Sequence, residues 1–146
     1  MANYAAPLRD MRFVYHELMD GVALRQLPGY EEIDADLVDS VLDEAARFCE
    51  NELQPINRSG DEEGCRFEAG QVFAPKGFKE AYAGYTGAGW NALAYEPDHG
   101  GQGLPKCLSL LVEEMTCATN AAFWLYPSLT HGAYQAMRLY AADAIK

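Results

Sequence analysis

The sequence predicts an all-α fold, a helical bundle of four to five helices with one long ordered loop rich in glycine and proline. Apolar residues recur every three or four positions through most of the chain, which is the spacing of a buried helix face. Residues 66–74 alternate only weakly and predict a small hairpin or an irregular loop. With 146 residues, 49% of them hydrophobic and 23% charged, the chain suits one globular domain.

The chain begins with a short predicted helix over residues 8–19. Pro7 suits a first helical position, and one face of the helix carries a row of apolar side chains: Leu8, Met11, Val14 or Tyr15, and Leu18. Gly21 and the Pro28-Gly29 pair then mark a linker. We therefore predict an N-terminal helix and linker over residues 1–30, followed by the main helical domain over residues 31–146.

A long helix is predicted over residues 33–53. Asp34 or Asp36 can cap its first turn, where acidic side chains also favour the helix dipole. Its apolar positions form a wide face for the core, and Pro55 is expected to end it. Residues 57–64 are mostly polar and include two glycines, so they are expected to form a loop.

The second half of the chain is predicted to hold the remaining helices around the long loop. Pro75 starts a helix that extends to residues 87–89, and the glycine- and proline-rich residues 90–104 form the loop. Pro105 starts the next helix, and a last helix begins near residue 120. Pro127 is expected to bend or restart this last helix, because proline lacks the main-chain donor.

Charge and composition exclude several classes of protein. A net charge of −11 does not suit nucleic acid or an anionic membrane surface, which both attract clustered lysine and arginine. The four cysteines contain no CxxC pair, and the longest uncharged run, residues 115–137, is too polar for a membrane span. The first residues lack the apolar stretch of a secretory signal, so we expect a cytoplasmic protein.

Two features predict that the sequence is part of something longer. Residues 81–95 and 115–137 are uncharged and rich in aromatic side chains, which need a surface to pack against. Residues 141–146 contain nothing that stops a helix, so we expect the chain to end inside a helix or at the threshold of one, and the domain to be truncated there. The uncharged face also leads us to expect a homo-oligomer.

Motifs of metal and phosphate chemistry are incomplete. His16-Glu17 lacks a second histidine at HExxH spacing, because position 20 is Asp20, so no metal ligand is predicted. The glycine-rich residues 100–103 are not followed by the lysine and serine or threonine of a phosphate loop. A loop that needs glycine for a positive φ or for close packing explains this segment better. The adjacent acids Glu113 and Glu114 point about 100° apart on a helix and belong to its packing pattern.

The polar group at residues 126–131, Tyr-Pro-Ser-Leu-Thr-His, lies inside the uncharged run. Hydroxyl and imidazole groups buried there need hydrogen-bond partners or a ligand. A helix-packing site and a ligand cavity both remain open as interpretations of this segment.

Four segments together resemble the N-terminal helical domain of the acyl-CoA dehydrogenase family. Gly89-Trp90 followed by residues 96–105, Glu-Pro-Asp-His-Gly-Gly-Gln-Gly-Leu-Pro, resembles the family's GW…PxxxGGxG signature. Glu113-Glu114-Met115 stands where the family carries an acidic pair before an apolar residue. Residues 7–13 and 57–67 resemble the large branch that includes 3-methylmercaptopropionyl-CoA dehydrogenase-like proteins.

The resemblance implies an FAD enzyme that oxidises an acyl-CoA to the 2-enoyl-CoA. In that family the catalytic glutamate and most flavin contacts lie in later domains, so it implies no catalytic residue here and no retention of FAD by this chain alone. It implies partners in the remaining dehydrogenase domains or in a partner subunit. The residues that it places loosely at the acyl cavity are Leu125, Tyr126, Ser128, Leu129 and His131.

A different class of function remains open. The chain could be a catalytically inactive helical interaction module that has kept the fold. Such a module is expected to carry a polar covering on its second half, which this sequence lacks.

Overall fold

The computed structural model describes residues 3–145 and confirms the all-α fold. Five of its helices have ten residues or more, and the β structure of the described residues is one short hairpin. The helices are α1 Leu8–Phe13, α2 Gly21–Leu24, α3 Ala35–Phe48, α4 Gln54–Glu63, α5 Phe78–Gly87, α6 Lys106–Thr119 and α7 Ala121–Tyr140.

The N-terminal segment joins the same core as the rest of the chain. Helix α1 continues into a π-helical turn, Val14–Leu18, and places Met11 and Tyr15 in the core. Arg12 donates a hydrogen bond to the Asp43 carboxylate of α3 at 2.6 Å. Residues 1 and 2 lie outside the described residues, and the boundary near residue 30 stays a prediction.

The cap predicted for α3 is confirmed at Asp34, whose carboxylate accepts a hydrogen bond from the Leu37 main-chain N–H at 2.8 Å. The prediction that Pro55 ends the helix is wrong. A π-helical turn, Cys49–Leu53, leads from α3 directly into α4, and Pro55 lies in the first turn of α4. Proline is tolerated there, because a first-turn N–H has no partner within the helix in any case.

The loop predicted over residues 57–64 is therefore helical as far as Glu63. Its polar composition reflects a helix that is largely exposed to solvent. Gly60 is the exception, since it is buried and a Cβ there would lie 2.7 Å from Cζ of Phe78. Because it has no side chain, Gly60 allows Phe78 of α5 to pack closely against α4, and it does not interrupt the helix.

The predicted hairpin and the next helix are both present, but the helix begins at Phe78 and not at Pro75. Strands β1 Arg66–Glu68 and β2 Gln71–Phe73 pair antiparallel, with Phe67 opposite Val72. Helix α5 begins at Phe78, after Gly77 in the left-handed conformation. The strands are exposed on both sides, so they contribute little to the core.

Helices α6 and α7 run as predicted from Pro105 and Asn120. Asn120 is fully buried, accepts a hydrogen bond from the Phe123 N–H at 3.0 Å and donates one to the Leu53 carbonyl at 3.3 Å. Helix α7 continues through Pro127 without restarting. It ends at Tyr140 and does not continue through residues 141–145, so the alternative that the chain ends inside this helix is wrong for those residues. The other alternative, an end at the threshold of a helix, stays a prediction, and Lys146 lies outside the described residues.

The core lies where α3, α5, α6 and the start of α7 meet. Its fully buried side chains include Val38, Leu42, Leu53, Leu108, Met115 and Phe123. The four cysteines are free thiols. Among the helices of residues 3–145, none has the length and apolar character needed to span a membrane.

Candidate functional site

The glycine loop, residues 90–104, is an ordered structure that rests on its own main chain. The Gly103 N–H donates to the Tyr95 carbonyl at 2.9 Å, and the Leu104 N–H donates to the Leu93 carbonyl at 2.9 Å. Gly100 has a φ of +80°, which side chains rarely adopt. Gly101 lies so close to Tyr95 that a Cβ would overlap the Tyr95 main-chain carbonyl. Both adjacent glycines are therefore required, for different reasons.

Aromatic and charged contacts fasten the glycine loop to α7. The rings of Tyr95 and Tyr134 stack with their centroids 3.9 Å apart. The Tyr134 hydroxyl accepts a hydrogen bond from the Glu96 N–H at 3.1 Å, and Nε of Arg138 donates to the Glu96 carboxylate at 2.7 Å. One side of α7, here called the loop face, is therefore covered by this loop.

The five predicted site residues divide between two faces of α7. Ser128 and His131 lie on the loop face. Leu125, Tyr126 and Leu129 lie on the other side, here called the groove face, towards α4 and α5. The family resemblance placed all five loosely at one cavity, but residues one apart on a helix point in different directions.

The groove face borders two adjacent apolar grooves of about 550 and 470 Å³. Phe78 and Tyr126 line both grooves and so form the ridge between them. The residues of the first groove also include Cys65, Pro75, Ala122, Leu125 and Leu129, and those of the second include Val72, Phe73, Lys79 and Tyr82. Leu129 remains 75% exposed, so this surface is apolar and largely uncovered.

The polar atoms of the groove face offer little chemistry. The Tyr126 hydroxyl and the Cys65 sulfur lie 3.3 Å apart. This hydrogen bond, together with burial, raises the pKa of Tyr126 to about 12. The phenol is therefore neutral at neutral pH, and it marks a polar edge on an otherwise apolar groove.

The loop face contains a smaller and more polar pocket of about 20 Å³, here called the polar pocket. It lies between the glycine loop, α6 and the middle of α7. The residues with polar side-chain atoms that line it are Tyr85, Trp90, Asn91, Tyr95, Ser109, Glu113, Trp124, Ser128 and His131. Sequence reasoning found only Ser128 and His131 of this group.

The Glu113 carboxylate at the polar pocket is paired with a positive charge from the same chain. The Glu113 carboxylate accepts hydrogen bonds from Nζ of Lys106 at 2.6 Å and from Oγ of Ser109 at 2.9 Å. Burial and the nearby Lys106 charge lower the pKa of His131 below 6.5, although Glu113 opposes the shift. The imidazole is therefore neutral at neutral pH, and its ring stacks on Tyr95 with centroids 5.6 Å apart.

A signal in the sequence could have identified more of the polar pocket. Trp124, Ser128 and His131 follow the i, i+4, i+7 spacing of one helix face, as Ser109 and Glu113 follow i, i+4. Tyr95 could not be found in this way, because only the folding of the glycine loop brings it to α7.

Ser128 and His131 line the same pocket, but no hydrogen bond joins their side chains among the described contacts. No group of three or more His, Cys, Asp and Glu side chains in residues 3–145 is placed to hold a metal ion. The arrangement suits binding and positioning of another molecule or domain, through an apolar surface on one side and a neutral polar pocket on the other.

The chain is similar in sequence to three acyl-CoA dehydrogenases, while no family model matches it. It is 37% identical to 3-methylmercaptopropionyl-CoA dehydrogenase from Ruegeria pomeroyi over 144 residues, which is 99% of this chain and 24% of that protein. It is 27% identical to butyryl-CoA dehydrogenase from Syntrophomonas wolfei over 148 residues, 99% of this chain and 24% of that protein. A broad-specificity linear acyl-CoA dehydrogenase from Mycobacterium tuberculosis is 25% identical over 128 residues, 86% of this chain and 21% of that protein.

These relatives confirm the predicted similarity to an acyl-CoA dehydrogenase N-terminal domain. The chain spans about a quarter of the length of each of the two relatives that it matches over 99% of its residues.

Proposed function

Because the chain is related to the acyl-CoA dehydrogenase family over nearly its whole length, we propose that it is the N-terminal part of an FAD-dependent enzyme that oxidises acyl-CoA to 2-enoyl-CoA. The observation that carries this proposal is the 37% identity to 3-methylmercaptopropionyl-CoA dehydrogenase across 99% of the chain. The relatives are about four times longer, so the catalytic base and the rest of the enzyme are assigned to sequence outside this chain.

In this proposal, the loop face of α7 forms one wall of the acyl cavity. Ser128 and His131 line a pocket together with the glycine loop, the segment that carries much of the resemblance. A neutral imidazole and a hydroxyl suit contact with an uncharged acyl group, and the Glu113 carboxylate on the same pocket is already paired with Lys106. The polar pocket is too small for an acyl chain, so the rest of the enzyme must complete the cavity.

The groove face then serves a different purpose. A single acyl chain can contact one face of α7, which leaves Leu125, Tyr126 and Leu129 to pack against the remaining dehydrogenase domains or a partner subunit. Apolar grooves of this size, with Leu129 largely exposed, fit such a protein contact.

The grooves do not fit FAD. The cofactor carries a diphosphate, and among residues 3–145 Lys79 is the only cationic side chain that lines either groove. FAD supplies the hydride acceptor in enzymes of this class, and we assign its binding to the parts of the enzyme outside this chain.

The proposed function is tested on the complete natural protein that contains this sequence. We expect a mass about four times 16.1 kDa, bound flavin absorbance and reduction of an electron-accepting dye that depends on acyl-CoA. A natural product of 16.1 kDa that neither carries flavin nor oxidises acyl-CoA would refute the proposal and favour the interaction module.

Two neighbouring substitutions in that enzyme test the assignment of the faces. Ser128→Phe, on the loop face, should change the ratio of kcat/KM between short and long acyl-CoAs, because a larger side chain shortens the cavity. Leu129→Phe, on the groove face, is the matched control and should leave that ratio unchanged. The opposite pattern would place the acyl chain on the groove face.

A further inference from the structure

Two hydrogen-bond donors at the loop face are buried without a partner among residues 3–145. The Tyr95 side chain is only 7% exposed, and its hydroxyl has neither solvent contact nor a hydrogen bond to any of these residues. The same is true of the indole N–H of Trp124. Buried donors are nearly always paired in native proteins, by protein groups or by ordered water. These two groups therefore indicate a missing acceptor.

The polar pocket is the space that both residues share. Tyr95 comes from the glycine loop and Trp124 from the first half of α7, and both line this pocket. Its volume of about 20 Å³ exceeds the roughly 10–15 Å³ that a cavity needs to hold one water molecule. A larger ligand does not fit without movement of the walls, so the occupant is a single small molecule.

The chemistry of the walls also selects a neutral occupant. The carboxylate of Glu113 lies on the pocket, and the nearby ammonium group of Lys106 is already engaged by it. The His131 ring is neutral at neutral pH for the reasons given above. An anion would therefore find no uncommitted positive charge there, whereas a water molecule could donate its protons to the Glu113 carboxylate.

We propose that the polar pocket binds one ordered water molecule, which accepts hydrogen bonds from the Tyr95 hydroxyl and the Trp124 indole N–H. This water bridges Tyr95 of the glycine loop to Trp124 of α7. Among the described contacts, no direct hydrogen bond joins the Tyr95 side chain to α7. It adds a polar connection beneath the stacked rings of Tyr95 and Tyr134. The inference rests on groups of this chain alone and does not depend on the proposed function.

A crystal structure of the complete protein at about 1.5 Å resolution tests the site directly. We expect one density peak in the polar pocket, within about 3.2 Å of both the Tyr95 oxygen and the Trp124 indole nitrogen. An empty pocket, or a peak that contacts only one of the two donors, would overturn the proposal.

A double-mutant cycle provides a second measurement that does not need crystals. Tyr95→Phe and Trp124→Phe remove one donor each, and their effects on the unfolding equilibrium constant should be non-additive by about threefold or more if one water links them. Tyr82→Phe is the control, because Tyr82 lines the second groove and not the polar pocket. Its effect on the free energy of unfolding should add to that of Trp124→Phe. Additive effects of Tyr95→Phe and Trp124→Phe would contradict a shared water.

Discussion

Replacing Gly101 with alanine should be among the most damaging single-methyl changes in this protein. The added Cβ would overlap the main-chain carbonyl of Tyr95, and backbone atoms cannot rotate away as a flexible side chain can. The glycine loop must therefore shift. That shift disturbs the stacking of Tyr95 on Tyr134 and the hydrogen bond from the Glu96 N–H to the Tyr134 hydroxyl.

The magnitude follows from these contacts. Overpacking costs about 1–3 kcal/mol, and partial loss of an aromatic pair and a hydrogen bond adds about 0.5–1.5 kcal/mol each. We therefore expect the free energy of unfolding to fall by roughly 2–6 kcal/mol for Gly101→Ala. At about 2–4 °C per kcal/mol for a domain of this size, Tm should fall by roughly 4–24 °C.

Urea and thermal unfolding followed by circular dichroism measure this change. Gly100→Ala should cost only about 1–2 kcal/mol, because a Cβ there meets no neighbour and the penalty is that of a positive φ. Gly132→Ala, inside α7 with open space around it, should stabilise the protein by about 0.5–1 kcal/mol. If Gly101→Ala behaves like Gly132→Ala, the close contact with Tyr95 does not exist and the reasoning fails.

Three further predictions concern the helix cap, a buried thiol and the cofactor. Asn120→Ala should lower the free energy of unfolding by about 2–4 kcal/mol, because it removes a buried helix cap and the hydrogen bond to the Leu53 carbonyl. Urea titrations measure this loss. An effect near 1 kcal/mol, the value expected for the exposed cap Asp34, would contradict the prediction. Burial raises the pKa of Cys49 from 9.0 to about 11. Thiol reagents at pH 8 should therefore label the exposed Cys65 and leave Cys49 unmodified. Equal labelling of the two cysteines would argue against burial of Cys49. The 146-residue chain, purified with excess FAD and desalted, should show no flavin absorbance, and a stoichiometric yellow protein would refute that expectation.

The raised pKa of Cys49 also sets the direction of alkaline destabilisation. The unfolded thiol ionises near 9.0 and the folded thiol near 11, so the unfolded state loses its proton first as the pH rises. The free energy of unfolding should therefore fall between about pH 9 and 11. In Cys49→Ala this contribution to the pH dependence should disappear, as urea titrations at several pH values can measure.

The sequence predicted most helices because their signals are local. Helical spacing of apolar residues, Asp34 as a cap and Pro105 as a helix start act through neighbours along the chain, so they can be recognised without a tertiary structure. Pro55 misled the prediction, since proline suits a first helical turn as well as a helix end. The π-helical turn before it, which joins α3 to α4, has no comparable sequence signal.

The two faces of α7 were decided by the tertiary structure. The family resemblance placed Leu125, Tyr126, Ser128, Leu129 and His131 loosely at one acyl cavity. The folded chain places Leu129 towards α4 and α5 and His131 towards the glycine loop. Which side of a helix meets which partner depends on packing over long sequence separations, and here it depends on a loop about 35 residues away that returns Tyr95 to α7. The sequence by itself thus determined the fold class and the family resemblance, whereas only tertiary packing assigned each polar side chain to a pocket.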